Sequence, residues 1–550
     1  MSTLTVQAVG AAADAVERHL GPLVEERFAS RLFAQDATLW GPDAEAEAAV
    51  RLSWVGLART SRPLVGEIEA LREQLRVRGV TRIVLCGMGG SSLAPEVICA
   101  TAGVPLVVLD SSDPDMVRSV LEEDLGGTAV VVSSKSGSTL ETDSQRRAFV
   151  DAFSRAGLDP TERVVVVTDP GSPLDQQSRA EGYRVVNADP DVGGRYSALT
   201  AFGLVPSGLA GVDVGALLDE AEEVADLLAD DDPGNPGLRL GAALAGTEPL
   251  RDKLLLADAG SNVVGLGDWA EQLIAESTGK SGRGVLPVVT PEGQAPTDGI
   301  ADPSDCTVVV LAPEDIDDGH ADGEEIAIPE ATAAGSLVSV AGSLGAQLLL
   351  WEVATVVAGR LLGINPFDQP DVESAKNAAR EIMADGSGAE AAPTVVDGAV
   401  QVRGGSWLPV GATTVGQALE ALLGELDPAD GYLAVMVYLD RLEHAGLASV
   451  QADLVRRTGR PVTFGWGPRF LHSTGQYHKG GPAQGVFLQV TGEPAEDLAV
   501  PGKDFTFGEF IAAQAAGDAA VLAEHGRPVL RLHLSDQGHG LAQLRRAISG

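Results

Sequence analysis

The chain has 550 residues, with 39 lysines and arginines against 78 aspartates and glutamates, a formal net charge of −39, and it is 44% hydrophobic but only 4% aromatic. That apolar content, with 66 glycines, fits a large Ala/Val/Leu-rich core and excludes a disordered or fibrous chain. The negative field repels nucleic acid and anionic lipid, so neither a nucleic-acid nor a membrane partner is expected, and any bound phosphate must be held by local cations and oriented N–H groups.

The N-terminal MSTLTVQAVGAAADAVERHL lacks a basic region followed by a long apolar run, so it does not read as an export signal; its spacing suits an amphipathic helix, and residues 1 to 80 read as mostly helical. Cys86, Cys99 and Cys306 form no CxxC or His-paired spacing, which argues against disulfides and zinc and for a reducing cytoplasm. No metal or cofactor is expected.

From Arg82 to Val186, valine-rich strands (RIVLCGM, PLVVLD, AVVVSSK, RVVVVTD, YRVVNAD) alternate with helical segments, the pattern of a doubly wound parallel sheet with helices on both faces. Two of these strands run into small-residue loops, Gly87 to Ser92 and Ser133 to Thr139. In such sheets ligands bind beyond the carboxyl ends of the strands. Glycines admit a close backbone approach, N–H groups at a helix start face an anion, Ser91, Ser134, Ser136 and Thr139 offer hydroxyls, and Lys135 offers charge. Each loop alone also reads as an ordinary strand-ending turn. Together they read as a phosphate cradle.

Asp191 to Ser197, DVGGRYS, sets Arg195 behind two glycines, where a guanidinium can approach an oxyanion or serve in a structural ion pair. An acidic helix then ends at Pro233-Gly234-Asn235-Pro236-Gly237, which places a first domain with a helical N-terminal arm at 1–235. A second lobe at 236–390 contains the strand LLLAD, the helix DWAEQLIAES, the strand CTVVVLAP and an apolar helix from Ala346 to Gly363. Gln347, Glu352 and Arg360 mark that helix as a core helix rather than a membrane span. In DWAEQLIAESTGKSGRG the GKS is not a P-loop, because the lead-in is helical and position 274 is Ile. Glu276 falls at a helix C-terminus, where the dipole disfavours a carboxylate charge and suits a general base; it reads equally as a solvated acidic residue.

NPFDQPDVESAK follows, placing Gln369 and Lys376 near a turn. ADGSGAEAAP, 384 to 393, has linker composition. The region 391–550 alternates about five strands with helices, forming either a third domain or the completion of the second lobe. Within it, FLHSTGQYHKGG gathers His472, His478 and Lys479 in a glycine-rich loop where a histidine can exchange protons near neutral pH or simply bond to backbone.

Five blocks, GMGGSSLAPEV, VVSSKSGSTLET, VGGRYSALTAFGL, AESTGKSGRG and NPFDQPDVESAK, resemble the glucose-6-phosphate isomerase family, and the order of the histidine block resembles the actinobacterial and cyanobacterial type related to the isomerase part of transaldolase fusions. The two Gly/Ser loops also resemble the wider sugar-isomerase (SIS) class, which implies tandem sugar-isomerase-like lobes. The resemblance implies that Ser134, Lys135, Ser136 and Thr139 hold a sugar phosphate, with Gly90, Ser91 and Gln369 lining the sugar site. It further implies Glu276 as the base between C1 and C2, Arg195 as the stabiliser of a cis-enediolate, and Lys376 with a histidine in ring opening. His472 in LHSTGQ matches the family's histidine block but lies after FDQ rather than before it, which leaves His320 and His478 as alternatives. Ser136 stands where many members carry threonine. The implied activity is cofactor-free interconversion of glucose 6-phosphate and fructose 6-phosphate, in glycolysis and gluconeogenesis, by a cytoplasmic homodimer. A dual phosphoglucose/phosphomannose isomerase and a non-catalytic sugar-phosphate sensor are the alternatives. A fused transaldolase is not expected, since the blocks leave no room for a barrel of about 250 residues.

Overall fold

The computed structural model describes residues 4–314, 335–384 and 392–549. The linker-like stretch falls largely outside these residues, and His320 lies wholly outside them. Three sheets organise the rest.

The first sheet contains β2 (Arg82–Gly87), β3 (Val107–Leu109), β4 (Thr128–Ser133), β5 (Val164–Thr168) and β6 (Arg184–Asn187), in the order β3-β2-β4-β5-β6 and parallel throughout. Its inner strands β4 and β5 are valine runs buried at every position, because helices cover both faces. The second sheet takes β7 (Lys253–Asp258), β8 (Leu286–Val289), β9 (Cys306–Leu311) and β10 (Ser336–Ala341), with β1 (Thr5–Gly10) antiparallel along the β10 edge.

That last pairing narrows the reading of residues 1 to 80 as mostly helical, which holds from Ala11 onward but not for the strand Thr5–Gly10, and it attaches the start of the chain to the second sheet. The β-branched Thr5, Val6 and Val9 favour an extended segment, and TVQAVG pairs with the open β10 edge from Thr5 with Ala341 to Gly10 with Ser336. A helix, Ala11–Glu25, follows at once.

The third sheet is β11 (Val395–Asp397), β12 (Val400–Arg403), β13 (Tyr432–Tyr438), β14 (Val462–Trp466), β15 (Gly485–Gly492) and β16 (Val529–Leu534), in the order β11-β12-β16-β15-β13-β14. The region after 391 therefore builds its own sheet. VVDGAVQV is a hairpin of two strands rather than one. Numbered by appearance, each sheet has a parallel core in the order second, first, third, fourth strand.

One apolar core runs continuously through the first and second regions, from Leu4 to Phe367, whereas the third sheet has its own core on one face and shares a second cluster with the second sheet, in which Leu255 and Val308 join Tyr432 and Phe487. Among the described residues only the helix Leu344–Leu362 is long and apolar enough to cross a membrane, and 89% of that stretch is buried within the fold. All three cysteines are buried and unpaired.

Candidate active site

β2 and β4 lie side by side, with Gly87 opposite Ser133, so their loops leave the carboxyl edge of the first sheet as neighbours. Gly89 adopts φ +58°, and a Cβ there would lie 2.7 Å from Gln272 Nε2 and 3.1 Å from His472 Cβ. At Gly90 a Cβ would meet Gly194 O at 1.9 Å. Both positions bring backbone against other loops more closely than a side chain permits.

In the second loop Ser134 Oγ accepts the Gly137 N–H at 3.2 Å, and the hydroxyls of Ser136 and Ser138 are 2.6 Å apart. The helix Leu140–Arg155 starts after Thr139 without a side-chain cap, so its first turn meets the loop with uncapped N–H groups, although Glu141 and Asp143 stand in that same turn and the Glu141 carboxylate accepts its own N–H. Lys135 points differently from the cradle reading: its ammonium lies 2.8 Å from Asp169 Oδ2 and donates to the carbonyls of Pro190 and Val192, both at 2.9 Å. It thereby ties the cradle to the turn that carries Arg195.

Arg195 is 3% exposed at its side chain and has four partners. Nε donates to Ser277 Oγ at 2.8 Å, Nη1 to Gln369 Oε1 at 2.7 Å, and Nη2 to the carbonyls of Pro366 and Asp368 at 2.7 and 3.2 Å. Nη1 also stands 3.8 Å from Glu276 Oε2. Glu276 ends the amphipathic helix Leu266–Thr278 on its buried face, and Gln272, one turn earlier, donates to Glu276 Oε2 at 3.3 Å and to the carbonyl of His472 at 2.6 Å. Arg195, Glu276 and Gln369, separated widely in sequence, thus form one cluster, and Gln272 joins it to His472.

His472 ends a short turn, Arg469–His472, after β14, and its Nε2 lies 3.1 Å from Glu141 Oε1. Glu141 also accepts from Gln514 Nε2 at 2.8 Å, and Gln514 Oε1 in turn accepts from Ser112 Oγ. Burial acts to raise the Glu141 carboxyl, but the hydrogen bond and charge of His472, its own backbone N–H and the nearby Lys376 outweigh it, and the group sits below its ordinary value. His472, Glu141, Thr139 and Lys376 line one cavity of about 100 Å³. Lys376 projects from the helix Val372–Ala384 and pairs with Glu373 at 3.1 Å. The site residues therefore meet at the carboxyl edge of the first sheet, with Ser91 half-buried and Ser136 exposed beside it.

His478 is elsewhere: its Nδ1 bonds Tyr432 OH at 3.0 Å, it stacks on that ring, and burial drives its pKa well below the ordinary value. It is a core histidine. Sequence reasoning missed Glu141, Gln272 and Lys280. Glu141 follows the cradle directly, and Gln272 stands one helical turn before Glu276, which are the signals that pointed to them. Lys280 stood in plain view in the rejected GKS; its Nζ contacts Asn365 O at 2.7 Å, Asp368 O at 2.5 Å and Asp368 Oδ1 at 2.6 Å.

No protein-family model matches the chain. A probable glucose-6-phosphate isomerase of Haloarcula marismortui is 32% identical over 339 residues, 55% of this chain and 78% of the relative. The glucose-6-phosphate isomerase of Rubrobacter xylanophilus is 31% identical over 384 residues, 58% of this chain and 86% of that protein. Among solved structures, a hypothetical protein of Thermus thermophilus superposes with a TM-score of 0.57 at 26% identity, covering 69% of this chain and all of that one. A glucose-6-phosphate isomerase of Chlamydia trachomatis, 22% identical with a TM-score of 0.50 over 66% of this chain and 78% of its own, shares the fold. With two such relatives above 30% identity matched over more than three quarters of their length, the chain belongs to the glucose-6-phosphate isomerase family.

Proposed function

We infer that the protein interconverts glucose 6-phosphate and fructose 6-phosphate, and we propose the following division of labour. The phosphate docks on Ser134, Ser136, Thr139 and the uncapped N-terminal end of the Leu140–Arg155 helix, with Lys135 bracing the cradle through Asp169. The sugar lies along Gly90, Ser91 and Gln369. His472, oriented by the ionised Glu141 and aided by Lys376, moves a proton between the anomeric hydroxyl and the ring oxygen, opening the ring. Glu276 takes the proton from C2 of the aldose, or C1 of the ketose, and returns it to the other carbon. Between those steps Arg195 neutralises the charge of the cis-enediolate.

The observation that carries this reading is the Glu276 carboxylate 3.8 Å from a buried guanidinium that also holds Gln369, an arrangement of base and oxyanion stabiliser on one small volume. Conversion of fructose 6-phosphate, followed through a coupled dehydrogenase, tests it. Glu276→Gln should lower kcat by about 10² to 10⁴ with little change in KM, because a positioned base contributes on that scale and acts mainly after binding. Full activity in that variant removes Glu276 as the base, and an inactive wild type favours a sugar-phosphate sensor. Parallel assays with mannose 6-phosphate decide dual specificity. We further propose a cytoplasmic homodimer; three buried free thiols suit a reducing compartment, and light scattering reads the mass.

A further inference from the structure

The turn from Asn365 to Asp368, which presents Gln369 to the site, is gripped by two cations. Arg195 Nη2 donates to the carbonyls of Pro366 and Asp368, and Lys280 Nζ donates to those of Asn365 and Asp368 and to the Asp368 carboxylate. The Asp368 carbonyl is shared by both. Lys280 is 4% exposed and sits just past the helix Leu266–Thr278 that carries Glu276, in a tight bridge to Arg283.

Resting on the isomerase reading of this site, we propose that Lys280 is a positioning residue for the reaction. Its charged ammonium fixes the 365–368 turn against the Arg195 guanidinium, so that Gln369 and the arginine hold their places at the sugar oxygens, and loss of that proton loosens the turn.

Three features support this. A neutral amine offers two N–H donors where three oxygens now accept from three, and it loses the charge attraction of the Asp368 carboxylate, so deprotonation leaves one of the three oxygens unserved and weakens the grip that Lys280 shares with Arg195. The charged groups around Lys280 explain why it gives up its proton easily: burial is the largest cause, the like charge of Arg195 adds to it, and Asp368 and Glu276 only partly offset them, bringing the ammonium down from its ordinary value to about 8. The other charged neighbours are already engaged, Arg283 with the carbonyl of Leu362 at 2.9 Å and Asp371 with Gln476 Nε2 at 2.7 Å.

The test separates positioning from plain structural support. Because the folded-state value is depressed below that of the unfolded chain, the fold binds fewer protons than the unfolded chain between about pH 8 and 10.5, and Lys280 makes stability rise with pH across that window. Activity should move the opposite way. Wild type is expected to lose kcat/KM as pH rises through about 8, Lys280→Met to be about 10- to 100-fold slower at pH 7 and flat through the same range, and Lys280→Arg to recover activity and lack the alkaline fall. Hydrogen exchange of the Asn365, Phe367, Asp368 and Gln369 amides, wild type against Lys280→Arg, should show a selective gain in the wild type between pH 7 and 9.5, whether or not the protein turns over fructose 6-phosphate. Exchange that stays equal in the two proteins, or a Lys280→Met variant with wild-type rate or the same alkaline limb, overturns the proposal. An inactive wild type with the selective exchange gain overturns the isomerase reading instead.

Discussion

The first and third sheets share a parallel core order yet treat the place between their first and third strands in opposite ways. In the first, the loops after β2 and β4 are short, glycine- and serine-rich, and bordered by the cavity that His472, Thr139 and Lys376 line. In the third, the equivalent place after β13 and β15 is filled. Gln537 covers Gly492, where a Cβ would come within 3.0 Å of its Cγ, and its side-chain amide lies 3.0 Å from His444 Nε2 and donates to Glu493 O at 2.8 Å. The charged residues of the third sheet's loops are spent on docking. Arg441 donates to Asp110 at 3.0 Å and to Val108 O at 3.1 Å, Arg469 lies 3.1 Å from Asp110, and both arginines also reach Glu96. Strand order sets where a crevice can form, and the side chains of the loops decide whether it binds a ligand or clamps a neighbour. The third region serves the first by delivering His472 to its edge.

The clamp is the place to break that relationship with the largest effect. Asp110 is fully buried, so Arg469→Met leaves it with Arg441 alone and should cost about 3 kcal/mol, the scale for breaking a buried ion pair. Chemical denaturation measures it, and a loss of activity should accompany it because the substitution lies three residues before His472. A variant as stable as wild type would show that the arginines do not clamp the two regions.

Next comes Gly90→Ala. The added methyl would be driven into the Gly194 carbonyl, which cannot rotate away as a side-chain end does, so the Arg195 turn must shift. We expect kcat/KM to fall by about 10²-fold with the fold intact by circular dichroism, since misplacement by about an ångström costs that much. Wild-type kinetics would mean that the two loops do not need their close approach.

Glu141→Gln should have a smaller effect, about 10-fold on kcat, by leaving His472 without an ionised partner while conserving shape. It also has a pH signature. The Glu141 carboxyl is depressed in the fold, so its contribution to stability is present above the unfolded value and is lost as pH falls through the folded one. The stability gap between wild type and Glu141→Gln should therefore narrow on acidification, and a gap independent of pH would sink the ionised pair.

Much of this was legible before any coordinates. Continuous valine runs bounded by glycine- and serine-rich turns point to strands covered on both faces, and the loops after β2 and β4 stand out by composition. What escaped depended on long-range partners. TVQAVG became β1 because an edge of β10 was available some 330 residues away, and LPVV and SLVSVA, short strands without flanking signals, were not singled out. In the site, the residues read one by one left Arg195, Glu276 and Gln369 apart, only the family resemblance implied a common sugar site, and the fold brings them into contact. Lys135 was expected to face an anion, yet Asp169 and two carbonyls hold its charge. Glu141 went unread because an acidic residue in the first turn of a helix is ordinary until a histidine 331 residues away is found beside it.

Gly492→Ala is the counterpart of Gly90→Ala and the sharpest use of the comparison, because it should do almost nothing. Its Cβ would press on Leu439 Cδ2 at 2.8 Å and Gln537 Cγ at 3.0 Å, and both are side-chain atoms that can turn aside. Nothing there touches the proposed site, so kcat/KM should stay at the wild-type value and stability should fall by about 1 kcal/mol, the low end of the range for overpacking. If instead the substitution cut turnover as deeply as Gly90→Ala, the filled crevice of the third sheet would have to be coupled to the reaction, and the division between a binding edge and a clamping edge would fail.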